Sequence, residues 1–483
     1  MTSFSILSLF GQFRQPWRAF AQPRTDQTRP NLHDLAQQPQ QLPRFVHESA
    51  VAMRYLRLLG PLAWDQFPER NLCHKKGFPA VPYAPFAAAY LVKLDQHLVS
   101  MAQLQQYLVD HPALVWLIGF PLTSSTKFSW GFDVEARALQ FLLDSSVALL
   151  QAELQAVGVT LGETISVDTK HILANVQENN PKTYLKVSDR LDKTRQPKGD
   201  PDCKLGCKRK RNQPPTDGPA QTPTSSKKAH RSTNLSANDE YFWGYASGIV
   251  ATKVAEWGEF VLAELTQPFD QPDVAYFFPL MTHVERRLGF RPKYAALDAG
   301  FDAWYVFEYF YSPDHDGFAA IPFTERGGYK RSFDPQGCPY CQAGLPMPCK
   351  YTFQVKNTRV PHQQGRHVCP LRFPHPTGQS CPVNHKQWAK GGCTSTMPTS
   401  MGARLRYQLD RDSDAYKRVY KQRTASERIN SQAEALGIER PKIRNYPAIA
   451  NRNTLIYVLI NLRALQRVRQ QKIDRAAQTQ PEA

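Results

Sequence analysis

At Thr164 the hydrophobic period of this chain changes from that of a helix to that of a strand. Ile165, Val167 and Thr169 alternate with Ser166, Asp168 and Lys170, the two-residue period of a strand with one buried face. The sequence before that point reads as helix. Ser100-Met101-Ala102-Gln103 has the form of a capping box, with Leu104, Tyr107 and Leu108 at helical spacing behind it. Pro112 suits the first position of the next helix and Gly119 its end, and a further helical stretch spans 134–157. Residues 45–160 therefore predict an all-helical domain, preceded at 1–44 by a polar segment, a loosely ordered tail or short helices, with Gln37, Gln38, Gln40 and Gln41 around Pro39. After Thr164, strands at 241–250, 260–265, 294–297 and 318–322 and helices at 275–288 and 304–311 predict a mixed sheet of the α/β class over 161–325.

Two segments interrupt that pattern. Residues 181–234 hold 14 Lys or Arg against 5 Asp and almost no large apolar residues, which predicts an exposed basic insertion, largely disordered without a partner. Its densest run, Lys208-Arg209-Lys210-Arg211, suits salt-sensitive phosphate contacts, although such runs are often only solvated linkers. Cys203-x3-Cys207 in the same insertion is a weak metal candidate. Residues 326–406 lose regular patterning and gain cysteines. Cys338-Pro-Tyr-Cys341 is followed by Cys349, Cys369, Cys381 and Cys393, with His362, His367, His375 and His385 between them. Four thiolate or imidazole ligands would close a structural zinc site and order a segment with little core of its own; free thiols are the alternative. Helical patterning returns at 407–470, and 471–483 reads as a tail.

The chain of 483 residues carries 60 Lys or Arg against 42 Asp or Glu, a formal charge of +18. That excess points to a polyanionic partner. No apolar run approaches the ~18 residues of a spanning helix, which excludes an integral helical membrane protein. Nine cysteines with no secretory signal suggest a reducing compartment, where clustered cysteines more often bind metal than form disulfides.

Three acidic residues stand where chemistry would need them. Asp168 lies inside the first strand, opposite its apolar face, where an ionised carboxylate needs compensation. Asp298 ends the strand at 294–297 just before Gly300, the edge at which open α/β sheets carry their active sites. Taking roughly 100° per residue from Tyr420, Arg423 falls at about −60°, Glu427 at about −20° and Glu434 at about −40°, on one helical face. Ala425, Ile429, Ala433 and Leu436 form the opposite, apolar face. Singly, each acid has a simpler reading: Asp168 as an exposed strand residue, Asp298 as a turn former, Glu427 as the capping-box partner of Thr424. Together they offer the oxygen ligands of a two-Mg²⁺ site.

Ser166-Val167-Asp168-Thr169-Lys170, Leu297-Asp298-Ala299-Gly300-Phe301-Asp302 and Tyr420-x2-Arg423-x3-Glu427 resemble, in order, the three catalytic blocks of bacterial insertion-sequence DDE transposases with a Tyr-Arg-Glu-Lys signature. The resemblance covers about residues 45–468. It departs at the signature Lys, whose position is occupied by Glu434. What the resemblance implies is an RNase H-like core with Asp168, Asp298 and Glu427 as catalytic ligands of two Mg²⁺ or Mn²⁺ ions. Tyr420 and Arg423 would contact the transposon end, and the N-terminal helical domain would bind it. The implied partners are double-stranded DNA, as terminal inverted repeats and as target, with a homodimer in the DNA complex, no membrane, and a cytoplasmic, nucleoid-associated location in a bacterium. A catalytically inactive DNA-binding relative, a metal-dependent nuclease without strand transfer, and a zinc-stabilised scaffold without activity share parts of the pattern.

Overall fold

The computed structural model describes residues 30–69, 82–120, 136–180, 191–208, 240–311, 317–324 and 331–479. The first described elements are helices α1 (Leu32–Gln37), α2 (Arg44–His47), α3 (Ala50–Leu59), α4 (Tyr83–Asp95), α5 (Met101–Asp110), α6 (Pro112–Leu117) and α7 (Ala136–Gln155). The Ser100–Gln103 capping box forms, with both reciprocal hydrogen bonds present, and Pro112 opens α6. Gly119 ends that helical stretch with φ +100°, a conformation that favours glycine. Over its described part the segment at 1–44 takes the second of its two expected forms, short helices. Asn31 caps α1 by accepting from the His33 and Asp34 amides, and Leu32 and Leu35 are buried. Two leucines three residues apart suffice to seat a short helix, and the polar residues around them concealed that face.

The sheet comprises β1 (Thr164–Leu173), β2 (Lys204–Lys208), β3 (Glu240–Val254), β4 (Gly258–Pro268), β5 (Tyr294–Leu297) and β6 (Phe318–Ala320), with α8 (Phe277–Leu288) between β4 and β5 and α9 (Trp304–Phe310) between β5 and β6. β3 runs antiparallel to β1 along one edge, and β4 and β2 lie end to end along its other edge. β5 is parallel to β1, and β6 to β5. The class is mixed α/β, as expected. One sheet face packs against α8 and α9 through Ile165, Val167, Val284, Leu297 and Phe307. The other meets the N-terminal helices and the last helix through Ile172, Trp243, Tyr245 and Ile249. The helical domain therefore shares one core with the sheet.

The basic insertion is corrected in part. Residues 204–208 form β2, and Asp200 and Cys203 before it are buried. Asp200 accepts the Tyr245 hydroxyl at 2.6 Å, and burial pushes the Cys203 thiol up to about 12. Cys203 is thus a core residue. A charge count over 54 residues averaged this folded edge with its neighbours.

The cysteine segment contains a three-stranded antiparallel sheet, β7 (Cys349–Val355), β8 (His362–Val368) and β9 (Thr394–Pro398). The reading of lost patterning is corrected in β7, where Cys349, Tyr351, Phe353 and Val355 alternate with Lys350, Thr352 and Gln354 although the strand is almost wholly exposed. Helices α10 (Met401–Gln408), α11 (Asp414–Tyr420), α12 (Thr424–Ala435) and α13 (Tyr446–Thr479) complete the chain. Leu455, Leu459, Leu462 and Leu465 of α13 are buried. The tail expected at 471–483 is helix as far as Thr479. Lys472 pairs with Glu153 of α7 at 2.6 Å, so a polar, solvated helix end had read as a tail. Among the described residues no helix is long and apolar enough to cross a membrane.

Candidate active site

The parallel ladder between β1 and β5 ends at the pair Val167–Leu297. The next residue on each strand is an aspartate, Asp168 and Asp298, so two carboxylates leave adjacent strand ends together. Ile165, Val167 and Leu297 are fully buried, which fixes the strands that carry them. Asp168 accepts from the Thr169 amide at 2.8 Å and from Asn430 Nδ2 at 3.0 Å. Asp298 begins a short 3-10 turn and accepts from the Gly300 amide at 2.8 Å. Burial pushes the Asp168 carboxyl up to about 6; the Thr169 amide opposes this, the Asp298 charge adds to it, and the Arg423 guanidinium opposes it. The Asp298 carboxyl is also raised, first by burial and then by Asp273, against the Gly300 amide and Arg423. Asp302 holds the turn from behind: its buried carboxylate takes Arg406 Nε at 2.7 Å and Nη2 at 2.6 Å, and the Thr324 amide at 2.9 Å.

Glu427 lies on α12 and is linked to this pair through Arg423. The helical face drawn from Tyr420 through Glu427 crosses a 3-10 turn at Lys421–Arg423. Arg423 Nη2 lies 2.5 Å from Glu427 Oε1, and the same guanidinium acts on Asp168 and Asp298. Tyr420 stacks on Tyr416 with centroids 5.6 Å apart, and Arg423 lies over its ring at 5.9 Å. The capping-box reading of Glu427 is not realised, because Arg423 occupies the cap position and the Thr424 hydroxyl donates to the Lys421 carbonyl. Ala425, Ile429, Ala433 and Leu436 are buried as expected. The Ser426 amide donates to Ser166 Oγ at 3.1 Å, tying α12 to β1. Glu434, at the signature Lys position, pairs with Lys170 at 3.0 Å, and Lys170 also pairs with Glu439 at 2.6 Å. A cation therefore stands beside that position, supplied by β1.

Two residues join the site that the sequence reading passed over. Asp273, in the turn after β4, takes the Thr169 hydroxyl at 2.8 Å. A Cβ on Gly300 would stand 2.7 Å from Asp273 Oδ2 and 2.9 Å from Asp298 Oδ1, so only glycine leaves the space between these carboxylates open. Asp273 follows a proline and gave no signal beyond that of a turn. Asn430 is 7% exposed, and its Oδ1 is buried with no hydrogen-bond partner, while its Nδ2 holds Asp168. Its position, at about −80° on the same 100° wheel, falls on the polar face already drawn, where it could have been found.

The cysteines fall into two sets. The Cys393 thiol is pushed up to about 12 by burial and by the neighbouring Cys369 and Cys341 thiols. Cys338 lies near Cys349, which faces His367 across the β7–β8 ladder. His367 Nδ1 is 3.1 Å from the Met347 carbonyl, which leaves Nε2 to face Gly365 near Cys349 Sγ. Cys381 is half-buried and takes no part in these contacts. Among the described residues no three His, Cys, Asp or Glu side chains already close around one ion-sized space. Lys208 is exposed at the end of β2; Arg209, Lys210 and Arg211 lie outside the described residues. No protein-family model matches the chain, and no curated protein matches it significantly.

Proposed function

We propose that this chain is a DDE transposase that binds terminal inverted repeats, cuts DNA at the element ends and joins the freed 3′ ends to target DNA. The observation that carries the reading is the pairing of Asp168 and Asp298 at adjacent parallel strand ends, with the Arg423 guanidinium that holds Glu427 acting on both. Antiparallel β4-β3-β1 continued by parallel β5 and β6 supports an RNase H-like core. The residues fit a divalent-ion site on three counts. Burial raises the proton affinity of both carboxylates and the Asp298 charge adds to that of Asp168, Gly300 keeps the space beside Asp273 and Asp298 clear, and the Asn430 Oδ1 lacks a partner among the described residues. Asp168, Asp298 and Glu427 would hold Mg²⁺ or Mn²⁺, with Asp273 and Asn430 Oδ1 as further oxygen donors. When bound, such an ion pair stabilises charge on the attacking and leaving oxygens of a phosphodiester.

The protein's own groups do the rest. Arg423 holds Glu427 in place, and a carboxylate turned toward the aspartates frees the guanidinium to grip a phosphate bidentately. Tyr420 supplies a ring edge and a hydroxyl beside that phosphate. Lys170, shared between Glu434 and Glu439, puts a cation beside the position of the signature Lys. Thr169 and Asn430 orient Asp273 and Asp168. A zinc ion in the cysteine segment and a dimer on DNA belong to the same reading.

The test is plasmid nicking by purified protein in Mn²⁺, comparing wild type with Asp168→Asn and Asp298→Asn. The reading expects metal-dependent nicking in the wild type and a loss of at least about 100-fold in each variant, with DNA binding retained. Nicking that survives both substitutions would remove this site from the chemistry.

A further inference from the structure

Five arginines line one open cleft of about 920 Å³, and among the described residues no acidic side chain lines it. Arg54 and Arg57 come from α3; Arg463, Arg467 and Arg469 come from the second half of α13. Spacings of three residues on α3 and four on α13 put each pair on one helical face. Behind the cleft stands Asp95, at the end of α4, with its side chain 2% exposed. It takes Arg54 Nη2 at 2.5 Å, Arg463 Nη2 at 2.7 Å and the Tyr55 hydroxyl at 3.0 Å. One buried carboxylate thus orients guanidiniums from both walls. Glu153 of α7 does the same for Arg469 at 2.7 Å. A guanidinium carries five N–H donors, so each held arginine keeps donors free for a ligand. Arg57 and Arg467 are exposed and make no ion pair among the described residues. They add like charge to the walls without a partner, a cost that an anion in the cleft would relieve.

We propose that this cleft is a second DNA-binding surface, separate from the carboxylate site, that grips the phosphate backbone of a duplex without reading its sequence. It rests on the transposase reading only in taking DNA as the partner. The formal charge of +18 and the absence of acids in the lining fit a polyanion, and planar guanidiniums held from behind suit phosphate oxygens.

The test is fluorescence anisotropy with a labelled duplex of arbitrary sequence, from 50 to 200 mM KCl. The variants are Arg57→Gln with Arg467→Gln, and the charge-conserving Arg57→Lys with Arg467→Lys. A third, Gln466→Glu with Gln470→Glu, adds negative charge at exposed positions. Each lost phosphate contact lowers the salt slope by about 0.9, so the Gln pair flattens it by about 1.8. The wild-type advantage over that pair then shrinks about 12-fold across the salt range. The Lys pair keeps the slope, and the Glu pair weakens binding. Affinity and slope equal to wild type in the Gln and Glu pairs would overturn the proposal, as would competition by polyglutamate that matches DNA at equal charge. Asp168→Asn separates the two claims. Cleavage lost in that variant with the cleft variants unaffected in binding sinks the cleft alone. A wild type that never cuts, with the salt slope still set by Arg57 and Arg467, sinks the transposase reading alone.

Discussion

Glu264 is a buried carboxyl whose ionisation the fold resists. It sits on β4 at 2% exposure and accepts from Gln140 of α7 at 2.9 Å and from the Thr454 hydroxyl of α13. It therefore lies at the junction of the helical domain, the sheet and the last helix. Burial pushes its carboxyl up to about 7 from an ordinary 4.5, against the Thr454 hydroxyl and the Arg287 charge. Because the folded value lies above the unfolded one, its contribution to stability is full below pH 4.5 and is lost as pH rises through 7. Between pH 5 and pH 8 that loss is about 2–3 kcal/mol. The perturbation is Glu264→Gln, which keeps the shape and removes the titration. Urea unfolding of both proteins, at each pH step, isolates this group, since every other titration cancels in the difference. The variant should gain about 2–3 kcal/mol on the wild type across the window. Parallel pH profiles would refute the reasoning and mean that the surrounding donors already accept the charge.

Three further outcomes follow from the site and its supports. Gly300→Ala places a methyl group against Asp273 Oδ2 and Asp298 Oδ1; Mn²⁺ affinity by calorimetry should fall at least about 10-fold with little change in stability, and unchanged affinity would take that space out of the ion site. Arg406→Leu leaves Asp302 buried without its cation, at 0% side-chain exposure, and should cost about 3–5 kcal/mol in urea unfolding; a loss below about 1 kcal/mol would mean the Asp298 turn does not depend on this pair. Protein purified without chelator should carry about one zinc per chain or more by elemental analysis, and Cys369→Ser with Cys393→Ser should lower it. Zinc well below one per chain would end the zinc reading.

Legibility in the sequence followed local chemistry. The strand at Tyr294–Leu297 was readable to the residue, because a short apolar run meets Asp298-Ala299-Gly300 and must turn. The apolar stripe of α12 and the cap at Ser100 were readable because each repeats a local rule within one or two turns. Asp273 was not, because its partner Thr169 stands 104 residues away and only the fold brings them together. The sheet of β7, β8 and β9 was not: β7 alternates apolar and polar residues from Cys349 to Val355, but β8 and β9 are polar throughout most of their length and show no period. Glu264 and Glu427 show the complementary difficulty. Nothing local marks the first as buried, and the second invites a capping reading that the Arg423 backbone removes.

The central claim is that Asp168, Asp298 and Glu427 form one phosphodiester-cutting and joining site. It is tested most directly by a combined cleavage and strand-transfer assay on DNA carrying the terminal repeats that flank the coding sequence. The assay uses Mg²⁺ or Mn²⁺ and compares wild type with Glu427→Gln. The account predicts metal-dependent cutting at the repeat ends and joining to a second duplex, with both lost in the variant and binding kept. Cutting without joining would leave a nuclease. Binding without cutting, in the wild type as in the variant, would contradict the account and leave a DNA-binding protein.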